Sequence, residues 1–315
     1  MECPVCEHPS GKHYGRLGDR LFQTTAEKFD LYECPGCGLL FQNEADIRDR
    51  LADFYPAGYW WERSGPWARL QAGYRAFVLR HDQVAFLSSI FPDPANRRLL
   101  DIGSGSGAFV RQARQAGFDA FGLDLSEEAC RMAESHSPGR FFHGSEQDLI
   151  DRGETFEILV MLHALEHIPS PFQYLKKIQK LLRRPGTLVV QVPNRNSFQA
   201  RFLKHRWYGL DCPRHIHNFS SYAIQYLLGR AGFRIHRTRH FSLRDNAAAL
   251  VSSLLPGIDP ISIRVRQARG ERLFIPPWIS QGVYFALVAG AQPLAWAEAV
   301  LGRGATVTIH ATLDV

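Results

Sequence analysis

The stretch that decides the fold reads Leu99-Leu-Asp101-Ile-Gly-Ser-Gly-Ser-Gly-Ala108. Its apolar half predicts a buried strand, and its glycine-rich half predicts a tight turn. The segment that begins within this turn, Ser106–Gln115, has helical periodicity. Glycines at such a turn let a ligand approach the main chain closely. A strand, a glycine-rich turn and a helix in this order therefore predict a cofactor site.

The same run fits two classes of cofactor. Two of its glycines and Ala108 satisfy the dinucleotide fingerprint of proteins that bind NAD or FAD. Asp101 favours S-adenosylmethionine instead, because an anion suits a cationic sulfonium with an amino group better than it suits a pyrophosphate. Gly107 completes a D-x-G-x-G-x-G pattern. Asp124, which ends the next predicted strand, is placed to accept hydrogen bonds from ribose hydroxyls, which both classes carry.

Alternating strands and helices extend outward from this turn, from residue 98 to about residue 241. Short apolar runs predict strands at Arg98–Ile102, Ala120–Leu123, Phe141–His143, Glu157–Leu162, Thr187–Val192 and Phe233–Arg237. Segments with helical periodicity are Ser106–Gln115, Ser126–Ser135, Pro171–Arg183 and Ser220–Arg230. A last strand, with period-two alternation, is predicted at Thr306–Leu313. Strands that alternate with helices predict an α/β fold built on a parallel sheet.

The composition is that of a globular protein with a moderate positive charge. Of 315 residues, 45% are hydrophobic and 22% are charged, which excludes disordered and fibrous proteins. The length corresponds to about two domains. The 37 basic and 31 acidic residues leave a formal charge of +6, too small an excess to indicate nucleic-acid binding by itself. The first residues lack the basic and apolar pattern of a signal peptide, so we expect a cytoplasmic protein.

Four of the cysteines form two pairs near the N-terminus, Cys3-Pro-Val-Cys6 and Cys34-Pro-Gly-Cys37. In a chain without an export signal, paired C-x-x-C motifs indicate a metal site rather than disulfides. Two such turns can bring four thiolates into a tetrahedron around Zn²⁺. Because four protein ligands leave no open position, we expect this zinc to be structural. The segment between the pairs, residues 7–33, predicts a hairpin.

Two further motifs complete the pattern. The fourth predicted strand runs into Leu162-His-Ala-Leu-Glu-His167, and the run from Trp207 to Ser220 contains Pro-Arg-His followed by Phe-Ser. With these motifs the chain resembles the class I S-adenosylmethionine-dependent methyltransferases. More narrowly, it is similar to a bacterial group with an N-terminal zinc ribbon and an LEH motif after the fourth strand, close to the ubiquinone-type methyltransferases. The resemblance covers about residues 1–241 and the last strand.

The resemblance implies a fold and a cofactor site. The fold is a Rossmann-like sheet of seven strands in the order 3-2-1-4-5-7-6, with strand seven antiparallel, a small N-terminal zinc ribbon and an apolar helical insertion before the last strand. The cofactor-binding residues are expected to be Asp101, Gly103, Gly105, Gly107, Asp124, Leu125, Ser145, Glu146, His163 and Tyr59. Ser145 and Glu146 stand at the adenine-edge position, where the family usually has Asp. Tyr55 and Tyr59 match a segment that covers the cofactor.

The chain is accordingly divided into four parts. They are a zinc ribbon at 1–42, a cofactor-covering segment at 43–95 with aromatic residues and a helix over 68–90, the methyltransferase domain at 96–241 and 304–315, and an apolar helical insertion at 242–303 that covers the substrate.

The catalytic candidates are His215, His163 and His167. His163, Glu166 and His167 spell the H-x-x-E-H signature of some zinc peptidases. Here the motif lies at a strand-to-helix turn with Pro169 close behind, so the two histidines cannot share one face of an established helix. The matching E-x-x-E-H turn of ubiquinone-type enzymes has been linked to a divalent cation, which leaves a catalytic metal as an alternative.

His215 is the favoured general base. His215 and His217 alternate in an extended run, so only one of them faces the cleft, and the family motif selects His215. An imidazole with a pKa of about 6.5 can accept a proton from a substrate hydroxyl as the methyl group transfers. His163, at the carboxyl end of the fourth strand, is the alternative base, because ligands bind at that edge of open α/β sheets.

Three functions follow from these motifs. The first is methylation, at oxygen, of a small-molecule acceptor such as a saccharide, a lipid-linked compound or a secondary metabolite. The second is an RNA methyltransferase with a zinc ribbon. Residues 1–42 carry four basic and six acidic side chains, the wrong balance for phosphate, so we expect no nucleic-acid partner. The third is a non-catalytic protein that binds the cofactor.

An uncharged apolar run, Trp278–Ala297, lies near the C-terminus and follows several arginines. Gln292-Pro293 interrupts it, so we expect two short apolar helices, broken there, that cover the substrate cleft. Peripheral membrane contact through residues 273–303 is the alternative. A helix that spans the bilayer conflicts with the fold, because the last strand must return to the same sheet as the strand before it.

Overall fold

The computed structural model of the chain describes residues 1–56, 59 and 66–314. Its strands are β1 (Lys12–Gly18), β2 (Lys28–Glu33), β3 (Leu40–Gln42), β4 (Arg98–Ile102), β5 (Asp119–Asp124), β6 (Phe141–His143), β7 (Phe156–Leu162), β8 (Leu182–Pro193), β9 (His217–Asn218), β10 (Arg234–Arg239) and β11 (Thr306–Leu313). Its helices are α1 (Pro66–Leu79), α2 (Ala85–Ile90), α3 (Ala108–Gln115), α4 (Glu127–His136), α5 (Glu146–Asp151), α6 (Pro171–Ile178), α7 (Phe198–Leu203), α8 (Ser221–Arg230), α9 (Asn246–Leu254), α10 (Pro260–Ala268) and α11 (Pro277–Val300). Trp60 and Trp61, part of the expected aromatic segment, lie outside the described residues.

Seven strands form the larger sheet, in the order β10-β11-β8-β7-β4-β5-β6. The pairs from β6 through β8 are parallel, whereas β11 is antiparallel to both β8 and β10. Counted along the chain, this is the order 3-2-1-4-5-7-6 with an antiparallel seventh strand. The expected Rossmann-like topology is therefore confirmed.

The central strands are buried along nearly their whole length, which explains their continuous apolar runs. Helices on both sides supply the covering layers, and serine side chains begin several of them. The hydroxyl of Ser126 accepts a hydrogen bond from the amide of Ala129 at the start of α4, and Ser220 does the same for Ala223 at the start of α8. The parallel strands β4, β5 and β7 all end at one edge of the sheet, where the glycine-rich turn and the H-x-x-E-H motif lie.

The N-terminal segment forms a second, four-stranded sheet in the order β1-β2-β3-β9. Strands β1 and β2 are the hairpin expected between the two C-x-x-C turns. Strand β9, however, comes from the Pro-Arg-His run far along the chain and pairs with β3. The cysteine turns also share one hydrophobic core with the large sheet. The structure is therefore continuous across the boundary that the sequence places at residue 42.

The insertion before β11 consists of α9, α10 and α11. The expected break at Gln292-Pro293 is wrong, because α11 runs unbroken from Pro277 to Val300 with Pro293 inside it. A proline in a helix removes one hydrogen bond and bends the helix more often than it ends it. Pro293 lies on the exposed side of α11, as does Ala289, whose carbonyl loses its partner there and can bind water instead.

Candidate functional site

The glycine-rich turn after β4 has backbone φ angles that residues with a side chain adopt only with conformational strain. Gly103 and Gly107 have φ angles of +76° and +69°, in the left-handed region. A Cβ on Gly103 would stand 2.9 Å from the Cβ of Ala164, and one on Gly107 would stand 2.3 Å from a ring carbon of Phe141. The turn, called the glycine cradle below, therefore packs closely against Ala164 and Phe141 at the edge of the sheet, where no larger side chain fits at either position.

Asp101, at the end of β4, is buried beneath this cradle. Within the described part of the chain, its Oδ1 has no hydrogen-bond partner. Burial, and then the nearby charge of Asp124, raise the pKa of Asp101 well above its ordinary value, while Arg244 acts in the opposite direction. An unpaired carboxyl oxygen in such a place is costly unless a ligand satisfies it. A ligand ammonium group would supply the missing donor, and a nearby sulfonium would add only its charge.

Asp124, at the end of β5, holds the turn from the other side. Its Oδ2 accepts a hydrogen bond of 2.8 Å from the amide of Gly105, and its Oδ1 accepts one of 2.9 Å from the amide of Ser126. Each oxygen keeps a second lone pair for a ligand hydroxyl. The neighbouring Leu125 side chain is 73% exposed, at the same edge.

Ser145 and Glu146 follow β6, but both already have protein partners. The Ser145 hydroxyl donates to Asp148 Oδ2 at 2.8 Å and so helps to cap α5. Glu146 forms an ion pair of 2.9 Å with Lys177 on α6. These contacts hold the loop in place, and the adenine-edge role of the two residues stays a prediction.

The H-x-x-E-H motif follows β7, and its residues Leu165–His167 form a single 3-10 turn. This agrees with the prediction that the motif does not lie on an established helix. Glu166 is completely buried there, and neither of its carboxyl oxygens has a hydrogen-bond partner among the residues described. Burial alone would raise the pKa of Glu166, but His163, and less strongly His167 and His215, lower it below its ordinary value. Glu166 is thus a buried carboxylate surrounded by imidazoles.

His167 and His215 face this carboxylate from two different segments. The Nδ1 of His167 lies 2.9 Å from the carbonyl of Arg214, and the Nδ1 of His215 lies 2.8 Å from the carbonyl of Gly209. A carbonyl can only accept, so in the neutral ring each Nδ1 carries the proton and each Nε2 keeps a lone pair. Burial, and then His215, lower the pKa of His167 to about 4.

These three side chains form a group that can hold a metal ion. One ligand atom from each of Glu166, His167 and His215 lies within 4.8 Å of the others. Two imidazoles and a carboxylate, with the far ring nitrogens donating to backbone carbonyls, are a common ligand set with a common second shell. Tyr55 lies against the same group, its hydroxyl 3.2 Å from His167 Nδ1, and its ring contacts that of Tyr59.

His163 stands between two acids. Its Nδ1 is 3.3 Å from Glu166, and its Nε2 is 3.2 Å from Asp245. Burial would lower the pKa of His163, but the two carboxylates outweigh it and raise the pKa to about 9. These two carboxylates favour the protonated ring, which disfavours His163 as the alternative base, and its catalytic role stays a prediction.

The alternation in the Pro-Arg-His run is as expected. His215 joins the imidazole and carboxylate group, whereas His217 points away, into the small sheet, where its Nε2 lies 3.2 Å from Glu44. Arg214 immediately precedes His215. It is fully buried and forms ion pairs with two acids, Asp19 and Asp211. This arginine fixes the main chain from which His215 projects.

Several residues of this site carry no sequence signal. Asp245 precedes α9 in the insertion, and Asp19 lies in the loop after β1, both far from any motif. Arg244 stands beside Asp245, and its charge lowers the pKa of both Asp101 and Tyr59 against the opposing effect of burial. Asp211 and Arg214 lie within the run Trp207–Ser220 that contains Pro-Arg-His. Their opposite charges, three residues apart, are the sequence signal for their ion pair.

The four N-terminal cysteines converge as expected. Their sulfur atoms all lie within 4.8 Å of one another, with Cys3 and Cys37 at 3.6 Å and Cys6 and Cys34 at 3.4 Å. Disulfide sulfurs would be about 2.05 Å apart, whereas thiolates around one tetrahedral zinc are separated by about 3.8 Å. The cluster therefore has the spacing of a metal site.

The comparisons with known proteins agree with this geometry. Residues 69–238, just over half of the chain, match the family model described as "Methyltransferase domain". The chain is 28% identical over 132 residues to a ubiquinone biosynthesis O-methyltransferase of Cereibacter sphaeroides, covering 40% of this chain and 53% of that enzyme. A second such enzyme, from Methylococcus capsulatus, is 27% identical over 172 residues, covering 52% of this chain and 69% of the enzyme.

The first of these matches spans about half the length of the curated relative. Among solved structures, an S-adenosylmethionine-dependent methyltransferase from Mesorhizobium loti aligns with 18% identity and a TM-score of 0.46, covering 72% of this chain and 96% of that one. Because the family model matches more than half of the chain, over the strands and the turn described above, the protein belongs to the methyltransferase domain family.

Proposed function

We propose that the protein is an S-adenosylmethionine-dependent methyltransferase that methylates an oxygen of a small-molecule acceptor. The observation that carries this proposal is the buried, unpaired Oδ1 of Asp101 beside a glycine cradle. The residues present fit the cofactor. Asp101 would face its cationic amino acid end, Asp124 would accept from its ribose, and the backbone of Gly103 and Gly105 would line its path.

The cofactor, when bound, supplies an electrophilic methyl group on a sulfonium, so the protein forms no covalent intermediate. The chain's own residues orient the acceptor, exclude water and take up a proton. The His215 ring suits the last task, because its Nδ1 is held on the Gly209 carbonyl and its Nε2 keeps a lone pair. Nε2 of His215 would accept the proton that the acceptor hydroxyl gives up when its oxygen takes the methyl group.

A divalent cation held by Glu166, His167 and His215 is a second candidate for the same position. A buried carboxylate, whose charged neighbour His163 lies 3.3 Å away, and two directed imidazole lone pairs fit such an ion. When bound, the cation would lower the pKa of a coordinated hydroxyl. Titration with Mn²⁺, compared between the protein and His167→Ala, tests this directly.

Zinc bound by Cys3, Cys6, Cys34 and Cys37, and a cytoplasmic location, are parts of the same proposal. Four thiolates support Zn²⁺ as a structural ion. An RNA acceptor is disfavoured by the acidic balance of residues 1–42. A saccharide, a lipid-linked compound or a secondary metabolite remains the proposed acceptor class.

The test is methyl transfer from radiolabelled S-adenosylmethionine to fractionated cell extract. Label in small-molecule or lipid fractions supports the proposal. Label in RNA alone supports the RNA methyltransferase, and tight cofactor binding with no transfer to any fraction supports a non-catalytic binding protein.

Once an acceptor is known, we expect His215→Ala to lower turnover by about 10²–10⁴-fold with cofactor affinity unchanged. His236→Ala, an exposed histidine on β10, is the control. Turnover by His215→Ala within a few-fold of the unaltered protein would remove the base assignment. A chelator should remove the second cation while the zinc of the four cysteines remains, and mass spectrometry verifies that one zinc per chain is left. Full activity of this protein would exclude the divalent cation from the reaction.

A further inference from the structure

Helix α11 packs Val288 and Ala295 into a hydrophobic core, and its exposed side is also apolar, unlike that of an ordinary surface helix. Such a helix turns apolar side chains inward and polar ones toward water. In α11 the polar side chains Gln281, Tyr284 and Glu298 are buried. Those that are exposed are apolar, among them Trp278, Val283, Leu287, Leu294, Trp296 and Val300. The outward side of α11 therefore has the character of a protein interior.

The inward polar groups have defined partners, so the orientation of α11 is specified by the rest of the molecule. Gln281 accepts a hydrogen bond from Gln71 of α1, and Tyr284 shares one with Ser252 of α9. Near the other end, Gln199 of α7 donates to Glu298 at 2.9 Å. Rotating α11 to hide its apolar side would break all three contacts.

The outward apolar surface is long and uncharged. A helix of 24 residues extends about 36 Å, and Glu298, which is buried, is its one charged residue. Tyr74 and Phe77 of α1, both exposed, lie on the helix beside it, and the ring of Tyr74 contacts that of Phe285. Apolar patches of this extent are rare on monomeric proteins that face only water.

The charges next to this surface identify its partner. Residues 260–276, which lead into α11, carry four arginines and one glutamate. Glu271 is paired with Arg266 at 2.8 Å, while Arg269 and Arg272 are exposed. Tryptophans near both ends of an apolar helix, with arginines adjacent to it, are the composition of a helix that lies in the headgroup region of a bilayer.

We propose that α11, the exposed part of α1 and the segment 269–276 form a docking surface for an anionic lipid bilayer. Alone among the helices described, α11 is long and apolar enough to cross a membrane by length and composition. It nevertheless lies parallel to the bilayer surface in this proposal. Its polar side is bonded to α1, α7 and α9, and β11 returns the chain to the central sheet.

The experiment is flotation of the purified protein with vesicles at low salt. We expect the protein to float with vesicles of phosphatidylglycerol and phosphatidylcholine, and to float less with phosphatidylcholine alone or at high salt. The variant Val283→Glu/Leu287→Glu changes two exposed side chains that belong to none of the hydrophobic core clusters, so it should fold normally and lose flotation. Tyr222→Glu, an equally exposed aromatic position on α8, should float like the unaltered protein.

Three results would overturn the proposal. The protein could remain at the bottom with anionic vesicles at low salt, or the double variant could float as well as the unaltered protein. The third is a dimer in light scattering that the double variant dissociates, without flotation, which would assign the surface to a second copy of the chain. Both variants should have the melting temperature of the unaltered protein. A loss of flotation then comes from the changed surface and not from unfolding.

Discussion

Arg214 shows how a single buried charge can determine the position of the segment that carries His215. The guanidinium is fully buried and donates to both oxygens of Asp19, at 2.7 and 2.9 Å, to Asp211 at 2.6 Å and to the carbonyl of Phe54 at 2.8 Å. A buried cation with this many partners contributes little net stability as an intact group, but removing one acid leaves buried N–H groups without their charged acceptors. The segment that carries His215 therefore depends on a carboxylate nearly two hundred residues earlier.

We expect Asp19→Asn to lower the free energy of unfolding by about 1.5–3 kcal/mol, because Arg214 loses one of its two carboxylate partners and keeps Asp211. Asp30→Asn, which removes an exposed ion pair with His13, should cost less than about 1 kcal/mol. Urea denaturation of the two variants measures both values. If the two variants had equal free energies of unfolding, the buried pair would contribute no more to stability than the exposed pair.

The same pair predicts a pH dependence. Burial would raise the pKa of Asp19, but the hydrogen bonds and charge of Arg214 lower it below its ordinary value. A depressed folded-state pKa gives stability that is fully present above the unfolded pKa of about 3.9 and is lost as pH falls below it. The stability difference between the unaltered protein and Asp19→Asn should thus be constant from pH 5 to 7 and shrink below about pH 4, measured by urea denaturation at each pH.

Asp101 should show opposite effects on binding and on stability. In Asp101→Asn the buried carboxyl group becomes a neutral amide, so the cofactor-free protein should unfold at the same temperature or a higher one. Affinity for S-adenosylmethionine should fall by about tenfold or more, the range of a charge-assisted hydrogen bond. Calorimetry and thermal melts measure the two effects, with Asp119→Asn at the partly exposed start of β5 as control. Unchanged affinity would remove Asp101 from the cofactor site.

At the scale of elements, glycine can be required for two reasons, its backbone conformation and its lack of a side chain. Gly107, in the turn between β4 and α3, and Gly139, in the turn between α4 and β6, allow the two reasons to be compared. Gly107 and Gly139 both have left-handed φ angles, +69° and +72°. A Cβ on Gly107 would overlap the ring of Phe141, whereas one on Gly139 would meet no atom within 4 Å. The two positions differ in available space and share the same backbone cost.

We expect Gly139→Ala to cost about 1–2 kcal/mol, the strain of a left-handed residue alone. Gly107→Ala should cost more than this and also weaken cofactor binding, because Phe141 or the turn must move. Urea denaturation and calorimetry on both variants provide the comparison. If both variants lose the same stability and keep full affinity, close packing is not the reason for glycine at this turn.

At the scale of the whole molecule, the cysteine cluster and the candidate active site are connected. The hydroxyl of Ser220 donates to the carbonyl of Cys37 at 2.8 Å, and β3 pairs with β9 two residues after His215. The cysteine turns also pack into the core of the large sheet. Loss of the metal should therefore reach the segment that carries His215.

We expect about one zinc per chain, and Cys37→Ser should lose it together with several degrees of melting temperature and most of the activity. Cys130→Ser, which changes a buried cysteine outside the cluster, should retain the zinc and the activity. Mass spectrometry of the metal, thermal melts and methyl-transfer assays give the three readouts. Metal-free protein that is fully stable would contradict the structural role.

The sequence by itself determined the sheet and the position of the cofactor turn. Strand periodicity, the glycine run after β4 and the paired cysteines are local patterns, and each is confirmed as an element or a cluster, with Phe141–His143 and Thr306–Leu313 correct to the residue. Local patterns suffice here because backbone conformation at a glycine turn, or burial on both faces of a strand, depends on residues close in sequence.

Only the tertiary structure decided which charges meet and which side of a helix is exposed. The ion pairs of Arg214 with Asp19 and of His163 with Asp245 join residues that no spacing rule connects. Which side of α11 faces outward likewise depends on contacts with α1, α7 and α9. Long-range pairing sets pKa values and orientation, because both depend on every group nearby in space, whatever its position in the chain.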